Sequence, residues 1–295
     1  MKRFGMFMAI TLLALAMVAP PISAQSQPII VATGVPDGTY AQFFNDIVKV
    51  CPQPRLQGVA SQGSVENLER VMNNQANLAF VQADVLFAKK MVEHDPQVEV
   101  VRAYLVLYLE EIHILALSSN AAIAKFSDLA NKKVGIYGGS TITAQFLYYN
   151  TDVKWASTQT YPGPKEAVDA LTNGSIDAIL GVGGKPLPWV QALDAKYKLV
   201  PFDRFEAVSK LYLPAALDYS NFNQPGGVRT IGIPSMLITR DYTIPAMAKP
   251  LTQLRDCILK NLNVLQQTTG FHPKWSQVNP KNTINWPYFG EAPKP

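Results

Sequence analysis

The chain has 295 residues, of which 48% are apolar and 16% charged, and its formal net charge is +4, with Lys2 and Arg3 supplying two of those charges. No Lys/Arg-dense stretch follows, which excludes the electrostatic footprint of a nucleic-acid or anionic-membrane binder. His94, His113 and His272 fall in no metal-ligand spacing and near no nucleophile, and neither a Gly-x-Ser-x-Gly elbow nor a Walker loop occurs, so no catalytic residue, metal or cofactor is expected.

Met1–Ala24 reads as an export signal: Lys2-Arg3, an apolar core over Phe4–Val18, then Pro20-Pro21 and the small-residue site Ile22-Ser23-Ala24. The rival reading, an uncleaved anchor, is disfavoured by those prolines and small residues. No later stretch has the length of a transmembrane helix, so a soluble, exported chain starting near Gln25 is expected. Pro28–Val35 is a first strand, Pro36–Thr39 a loop, and Tyr40–Val50 an amphipathic helix with Phe43, Phe44, Ile47 and Val48 inward. Gly38, Thr39 and Tyr40 stand where strand, glycine turn and helix start can cradle an anion, although Gly34 and Gly38 also serve a tight turn. Leu56–Ala60 is a short second strand.

Ser61–Asp84 is the organising stretch: a polar turn, a helix carrying Val65, Leu68, Val71 and Met72 on one side, a turn at Asn73-Asn74, and the apolar strand Leu78–Val81 ending on Gln82. Ser64 suits the helix N-cap. Ligands of open α/β sheets gather at the carboxyl ends of strands and at helix N-termini, which directs Ser61, Gly63, Ser64 and Gln82 to one crevice. Asp84–His94 reads as a helix. Val98–Leu117 is β-rich and reads as two strands separated by Glu110-Glu111, with His113 a core histidine.

Ser118–Lys133 changes to polar character and marks entry into a second unit. Val134–Tyr137 is a strand, and Gly138–Thr143 opens a helix running to Asn150. Gly139, Ser140 and Thr141 there offer N–H and hydroxyl donors to a carboxylate, or Ser140 and Thr141 simply cap the helix. Lys165–Val182 repeats the helix–turn–strand grammar of Ser64–Gln82, with Asn173–Ile179 aligning on Asn74–Phe80. Two α/β lobes facing one another across a cleft account for the repetition. Gly183-Gly184-Lys185 follows the strand, with Lys185 either an anion partner or a solvated charge. Tyr212–Gly227 reads as a long loop from which Tyr219 or Asn221 reaches the cleft. Thr230–Thr239 is a strand returning to the first lobe, Met247–Gln266 a helix, and the aromatic tail (Trp275, Trp286, Tyr288, Phe289) packs along a lobe surface. Cys51 and Cys257 are either a disulfide or two separate buried thiols, and export favours the bond.

Thr33-Gly34 with Gly38-Thr39-Tyr40, Gly63–Leu68 and Leu78–Gln82 resemble the TAXI family of extracytoplasmic solute-binding proteins. So do Leu107–Glu110, Asp128-Leu129 with Lys133-Val134, Gly139-Ser140, Ile176–Ala178 and Val182–Pro186. The resemblance implies a two-lobed α/β fold of the type 2 periplasmic-binding-protein kind with the ligand cleft between the lobes. Lobe I would comprise 25–118 and 230–295, and lobe II 119–229. It further implies a monomeric periplasmic receptor, not an enzyme, that captures a small carboxylate or glutamate-like amino acid and hands it to the membrane subunits of a TRAP transporter. A sensor receptor or an orphan binding protein is the alternative. The expected ligand contacts are Gly38, Thr39, Tyr40, Ser61, Gly63, Ser64 and Gln82 from lobe I, and Gly139, Ser140, Thr141, Gly183, Gly184, Lys185 and Tyr219 from lobe II.

Overall fold

The computed structural model describes residues 27–290, and the export signal expected over Met1–Ala24 lies outside them. Among the described residues, no helix is long and apolar enough to cross a membrane. In chain order the elements are β1 (Ile29–Gly34), α1 (Thr39–Val50), β2 (Leu56–Ala60), α2 (Ser64–Met72), β3 (Leu78–Gln82), α3 (Ala83–Met91) and β4 (Val101–Leu117). There follow β5 (Lys133–Tyr137), α4 (Ser140–Asn150), β6 (Ser157–Tyr161), α5 (Pro164–Thr172), β7 (Ala178–Gly183), α6 (Pro188–Gln191), β8 (Tyr197–Leu199) and α7 (Phe205–Val208). The chain closes with β9 (Leu213–Leu217), β10 (Val228–Arg240), α8 (Pro245–Lys260) and α9 (Leu262–Gln267).

One sheet runs through the molecule in the order β2-β1-β3-β10-β4-β7-β5-β6. β2, β1 and β3 are mutually parallel, as the βαβαβ order requires, and so are β7, β5 and β6. These two parallel blocks are the centres of two lobes. Between them lie β4 and β10, antiparallel to one another from Val101↔Arg240 to Glu111↔Gly232. β3 adds to β10, whereas β7 adds to β4 only from Glu111 to Leu115. The two long strands are therefore the two crossings between lobes. The β10 ladder shifts register at Pro234, a residue with no N–H to donate, and a bulge there bends the ribbon midway.

β4 is continuous, where the sequence suggested a break at Glu110-Glu111. Both acids stay in the strand because each meets a partner inside: Gln82 Nε2 donates to Glu110 (2.8 Å) and Lys274 Nζ to Glu111. Two further expectations are corrected. Tyr212–Gly227 contains β9, which pairs with β10, so only its second half is loop. The C-terminal helix is two helices, parted at Asn261, whose Nδ2 donates to the Cys257 carbonyl (2.9 Å). The tail is also less superficial than expected: Trp275 is fully buried, stacks on Phe43 (4.3 Å between centroids) and donates through Nε1 to Asp46 (3.0 Å). Cys51, at the end of α1, is disulfide-bonded to Cys257 of α8.

The internal repeat is real in three dimensions, at an offset of 100 residues rather than the 99 suggested by matching Asn74 to Asn173. Asn74 and Gly174 both take left-handed φ, at 57° and 79°. Gln75 N donates to Arg70 O, and Ser175 N to Ala170 O. Asn77 accepts through its side chain from Ile30 N (2.8 Å), just as Asp177 accepts from Lys133 N (2.7 Å). The sequence match slipped by one because Asn73 and Asn173 cap their helices while the left-handed position is Asn in one copy and Gly in the other.

Candidate ligand cleft

The carboxyl ends of β1, β2, β3, β5, β6 and β7 and the helix starts that follow them converge from both lobes on a cavity of about 390 Å³. One wall is the β1–α1 loop (Thr33 to Tyr40), Gln62–Ser64, Gln82 and Glu110. The facing wall is Tyr137–Gly139, Pro164, Val182-Gly183 and Leu187–Trp189. The lobes touch: Thr39 Oγ1 donates to the Gly184 carbonyl (3.0 Å), and a Cβ on Gly63 would lie 3.1 Å from Gly139 N. Gly63 sits at φ +111°, so glycine is favoured there on conformational grounds as well as by the close approach.

Ser64 does not cap α2 as its hydroxyl chemistry suggests; Gly63 occupies the cap and Ser64 is the first helical residue. Its Oγ instead accepts from Gln82 N (3.1 Å) and lies 3.2 Å from the Tyr40 hydroxyl. Ser140, first residue of α4, repeats the arrangement, its Oγ accepting from Val182 N at 3.0 Å. In each lobe, then, a buried serine ties a helix N-terminus to the end of the strand that faces the cavity. The N-terminal turns of α2 and α4 pack closely here, with Ser64 N 3.4 Å from where a Cβ on Gly139 would stand. Two positive helix ends from opposite lobes thus meet at one point.

Glu110 forms the polar floor. It is 3% exposed, accepts from Gln82 Nε2, and lies 3.4 Å from the Tyr108 hydroxyl. Burial pushes its pKa up to about 7, opposed by the hydrogen bonds of Gln82 and Tyr40 and assisted by the charges of Asp84 and Glu111. The Gln82 Oε1 is buried without a hydrogen-bond partner, 3.4 Å from the Cβ position of Gly139.

Of the residues expected at the site, Gly38, Thr39, Tyr40, Gly63, Ser64, Gln82, Gly139 and Gly183 line the cavity. Ser61 lies behind it, its hydroxyl 2.5 Å from Asn67 Oδ1, and Ser140 supports it through Val182. Thr141 faces outward into a separate hollow beside Trp155, and the Gly184 carbonyl is spent on Thr39. Lys185 and Tyr219 belong to another hollow, on the far side of the Gly183-Gly184 turn. There Lys185 Nζ pairs with Asp218 (2.7 Å), and the Tyr219 hydroxyl accepts from Leu187 N (2.8 Å) and bonds His113 Nε2 (2.9 Å). His113 is a core residue, and burial drives its pKa down to about 3. Sequence reasoning did not single out Glu110, Tyr137, Leu187 or Trp189 as cavity residues. The available signal was a pair of acids inside an otherwise apolar strand.

This architecture, two α/β lobes joined by two strand crossings with a cavity between them, is the type 2 periplasmic-binding-protein fold. Solved structures agree on the fold. A substrate-binding protein of an amino acid ABC transporter superposes with a TM-score of 0.53 at 12% identity, covering 84% of this chain and 99% of that one. A GluR0 ligand-binding core in complex with L-glutamate gives 0.53 at 10% identity, over 86% and 99%. An amino acid ABC transporter substrate-binding protein from Streptococcus pneumoniae bound to L-arginine gives 0.51 at 14% identity, over 85% and 95%. The chain belongs to the NMT1-like family, whose pattern matches residues 31–286.

Proposed function

We propose that this protein is an extracytoplasmic solute receptor, not a catalyst, that captures a small carboxylate or amino acid by closing its two lobes. The observation that carries the reading is the cavity itself, lined from both lobes and bounded by direct contacts between them at Thr39–Gly184 and Gly63–Gly139. Such contacts exist only when the lobes are shut, so a solute that bridges them shifts the population toward the closed form. The neighbouring N-termini of α2 and α4 are suited to one carboxylate.

The finer reading is that the protein is a TAXI-type receptor delivering its solute, as a monomer, to TRAP-type membrane subunits. It is supported by the motifs at Gly63–Leu68, Leu78–Gln82 and Val182–Pro186 and is compatible with membership of the NMT1-like family. The same fold serves ABC transporters and a receptor core among the similar structures, so the membrane partner is a separate question from the solute. The lobes divide, on this reading, at residues 118 and 229, and cleavage after Ala24 releases the mature chain.

The test is a thermal-shift screen of ligand-stripped protein against amino acids and small carboxylates, repeated on Gly184→Ala. A solute at about a hundred times its dissociation constant adds roughly 2.7 kcal/mol of stability. A methyl on Gly184 would stand 2.6 Å from the Tyr108 ring and 3.2 Å from Thr39 Cγ2, obstructing closure while leaving an open form free. A saturable shift in the native protein that weakens at least about tenfold in Gly184→Ala supports capture by closure. Binding that is indifferent to Gly184→Ala excludes it.

A further inference from the structure

The charge on the cavity wall is one-sided. Glu110 stands at its floor and Asp37 at its exposed mouth, and among the described residues no Lys, Arg or His lines it. The nearby cations are held elsewhere, Lys185 by Asp218 and the buried Lys274 by Glu111, both bordering the hollow beyond the Gly183-Gly184 turn. His113 has both ring nitrogens occupied, by the Glu111 carbonyl and the Tyr219 hydroxyl. A solute carboxylate placed against the N-termini of α2 and α4 has backbone hydrogen-bond donors. A second carboxylate would enter a closed space with no counter-charge, and a buried unpaired charge is among the most unfavourable groups a site can accept.

The wall supplied by the second lobe is mostly apolar. Tyr137 and Trp189 meet edge to face with centroids 5.7 Å apart, and Leu187, Pro188 and Val182 continue the surface. Gln82 points to the third requirement. Its Nε2 is spent on Glu110 while its Oε1 is buried and unpartnered beside Gly139 of the opposite lobe. A buried acceptor of this kind calls for a donor, and a donor arriving with the solute would supply it.

We infer that the solute is an α-amino acid with one carboxylate and an apolar or aromatic side chain, its ammonium group directed to Glu110 and Gln82 and its side chain to Tyr137, Leu187 and Trp189. Glutamate and other dicarboxylates are excluded by the missing counter-charge. The inference rests on the receptor reading and narrows it from carboxylates in general to neutral amino acids.

A pH dependence follows from the same contacts. The groups facing Glu110 are Tyr40 from α1, Gln82 from β3 and Tyr108 within β4, with the charges of Asp84, Glu111 and Lys274 further off. An ammonium group binds the ionised form of Glu110. The empty site holds a proton there up to about pH 7, so each pH unit below that value should weaken binding by about tenfold, with no change above it.

The experiment is titration calorimetry of ligand-stripped protein with L-leucine, L-phenylalanine, glycine, L-glutamate and succinate at pH 5.5 and pH 8, and of Glu110→Gln and Trp189→Ala with the same compounds. The expected result at pH 8 is saturable binding of leucine or phenylalanine, with glutamate and succinate weaker by roughly a hundredfold or more. Affinity should fall at pH 5.5 in the native protein and become pH-independent in Glu110→Gln. Trp189→Ala, a half-buried wall residue whose loss leaves the core intact, should weaken phenylalanine and leave glycine unchanged. Glutamate or succinate binding as tightly as leucine, or affinity rising with acidification, overturns the inference and leaves the receptor reading standing. No saturable binding of any of the five compounds overturns the inference and the amino-acid reading together.

Discussion

Lys274 and Glu111 form an ion pair whose side chains are only 2% and 3% exposed, at the point where β4 leaves one lobe for the other. The ammonium group also donates to the Leu109 carbonyl (2.8 Å), and the second Glu111 oxygen accepts from Lys185 N (2.9 Å). Burial lowers the Lys274 pKa and Glu111 opposes that shift, so each charge is tolerated inside chiefly because of the other. Lys274→Met keeps the apolar stem and removes the charge, stranding a buried carboxylate. Breaking such a pair costs about 3–5 kcal/mol, a large part of the roughly 5–15 kcal/mol by which domains are stable. At about 2–4 °C per kcal/mol for a chain of this size, the melting temperature should fall by roughly 6–20 °C. Lys274→Met combined with Glu111→Gln removes both charges and should recover most of the loss. Urea unfolding of the native protein, both single variants and the double variant gives the cycle. A Lys274→Met cost below about 1 kcal/mol, or a double variant as unstable as Lys274→Met alone, would falsify the claim that desolvation of the unpaired acid dominates.

Glu110 and the buried histidines should pull the pH dependence of stability in opposite directions. Burial takes His113 and His272 from 6.5 down to about 3 and about 4, so below about pH 6.5 the unfolded chain gains protons the native one refuses, and stability falls with acidification. Glu110, raised from 4.5 to about 7, keeps a proton that the unfolded chain releases, so its contribution is present below about 4.5 and is lost as pH rises through 7. Glu110→Gln should therefore steepen the acid-side loss between pH 6.5 and 4.5 by about 1.4 kcal/mol per pH unit, and parallel native and variant curves would sink the assignment. Removing the Cys51–Cys257 bond, which closes a loop across a sequence separation of 206, should cost about 2–5 kcal/mol in urea unfolding. Solute affinity should stay unchanged, since α1 and α8 belong to the same lobe; a bond that instead spanned the closing motion would alter affinity.

How much of this was legible in the sequence differs from element to element. β1, β3 and β7 are apolar runs bracketed by turn residues, and such runs can be read from local chemistry alone. β6, Ser157–Tyr161, could not be, since it is a polar edge strand whose only signal is its pairing with β5. Gly63, Ser64, Gln82 and Gly139 reach the cavity because strand ends and helix starts have a defined place in a parallel sheet. Glu110 was read as punctuation because its burial depends on Gln82, 28 residues earlier in the chain, and on Tyr40. Lys185 and Tyr219 were drawn toward the cavity by adjacency to the Gly183-Gly184 turn, yet the chain reverses there and delivers both to the opposite side. Direction after a turn is a tertiary property.

The placement of β10 bears on when the molecule can fold. It lies between β3 and β4, strands joined early in the chain that never pair with one another on the sheet path. Until Val228–Arg240 has arrived, β3 and β4 each lack a neighbour, and the first lobe remains an unfinished half. A nascent chain therefore gains little from collapsing before its last quarter is available, and pairing over such separations is intrinsically slow. Were the chain exported unfolded, as its N-terminal sequence leads one to expect, this strand order would hold back completion of the sheet until the last quarter had crossed.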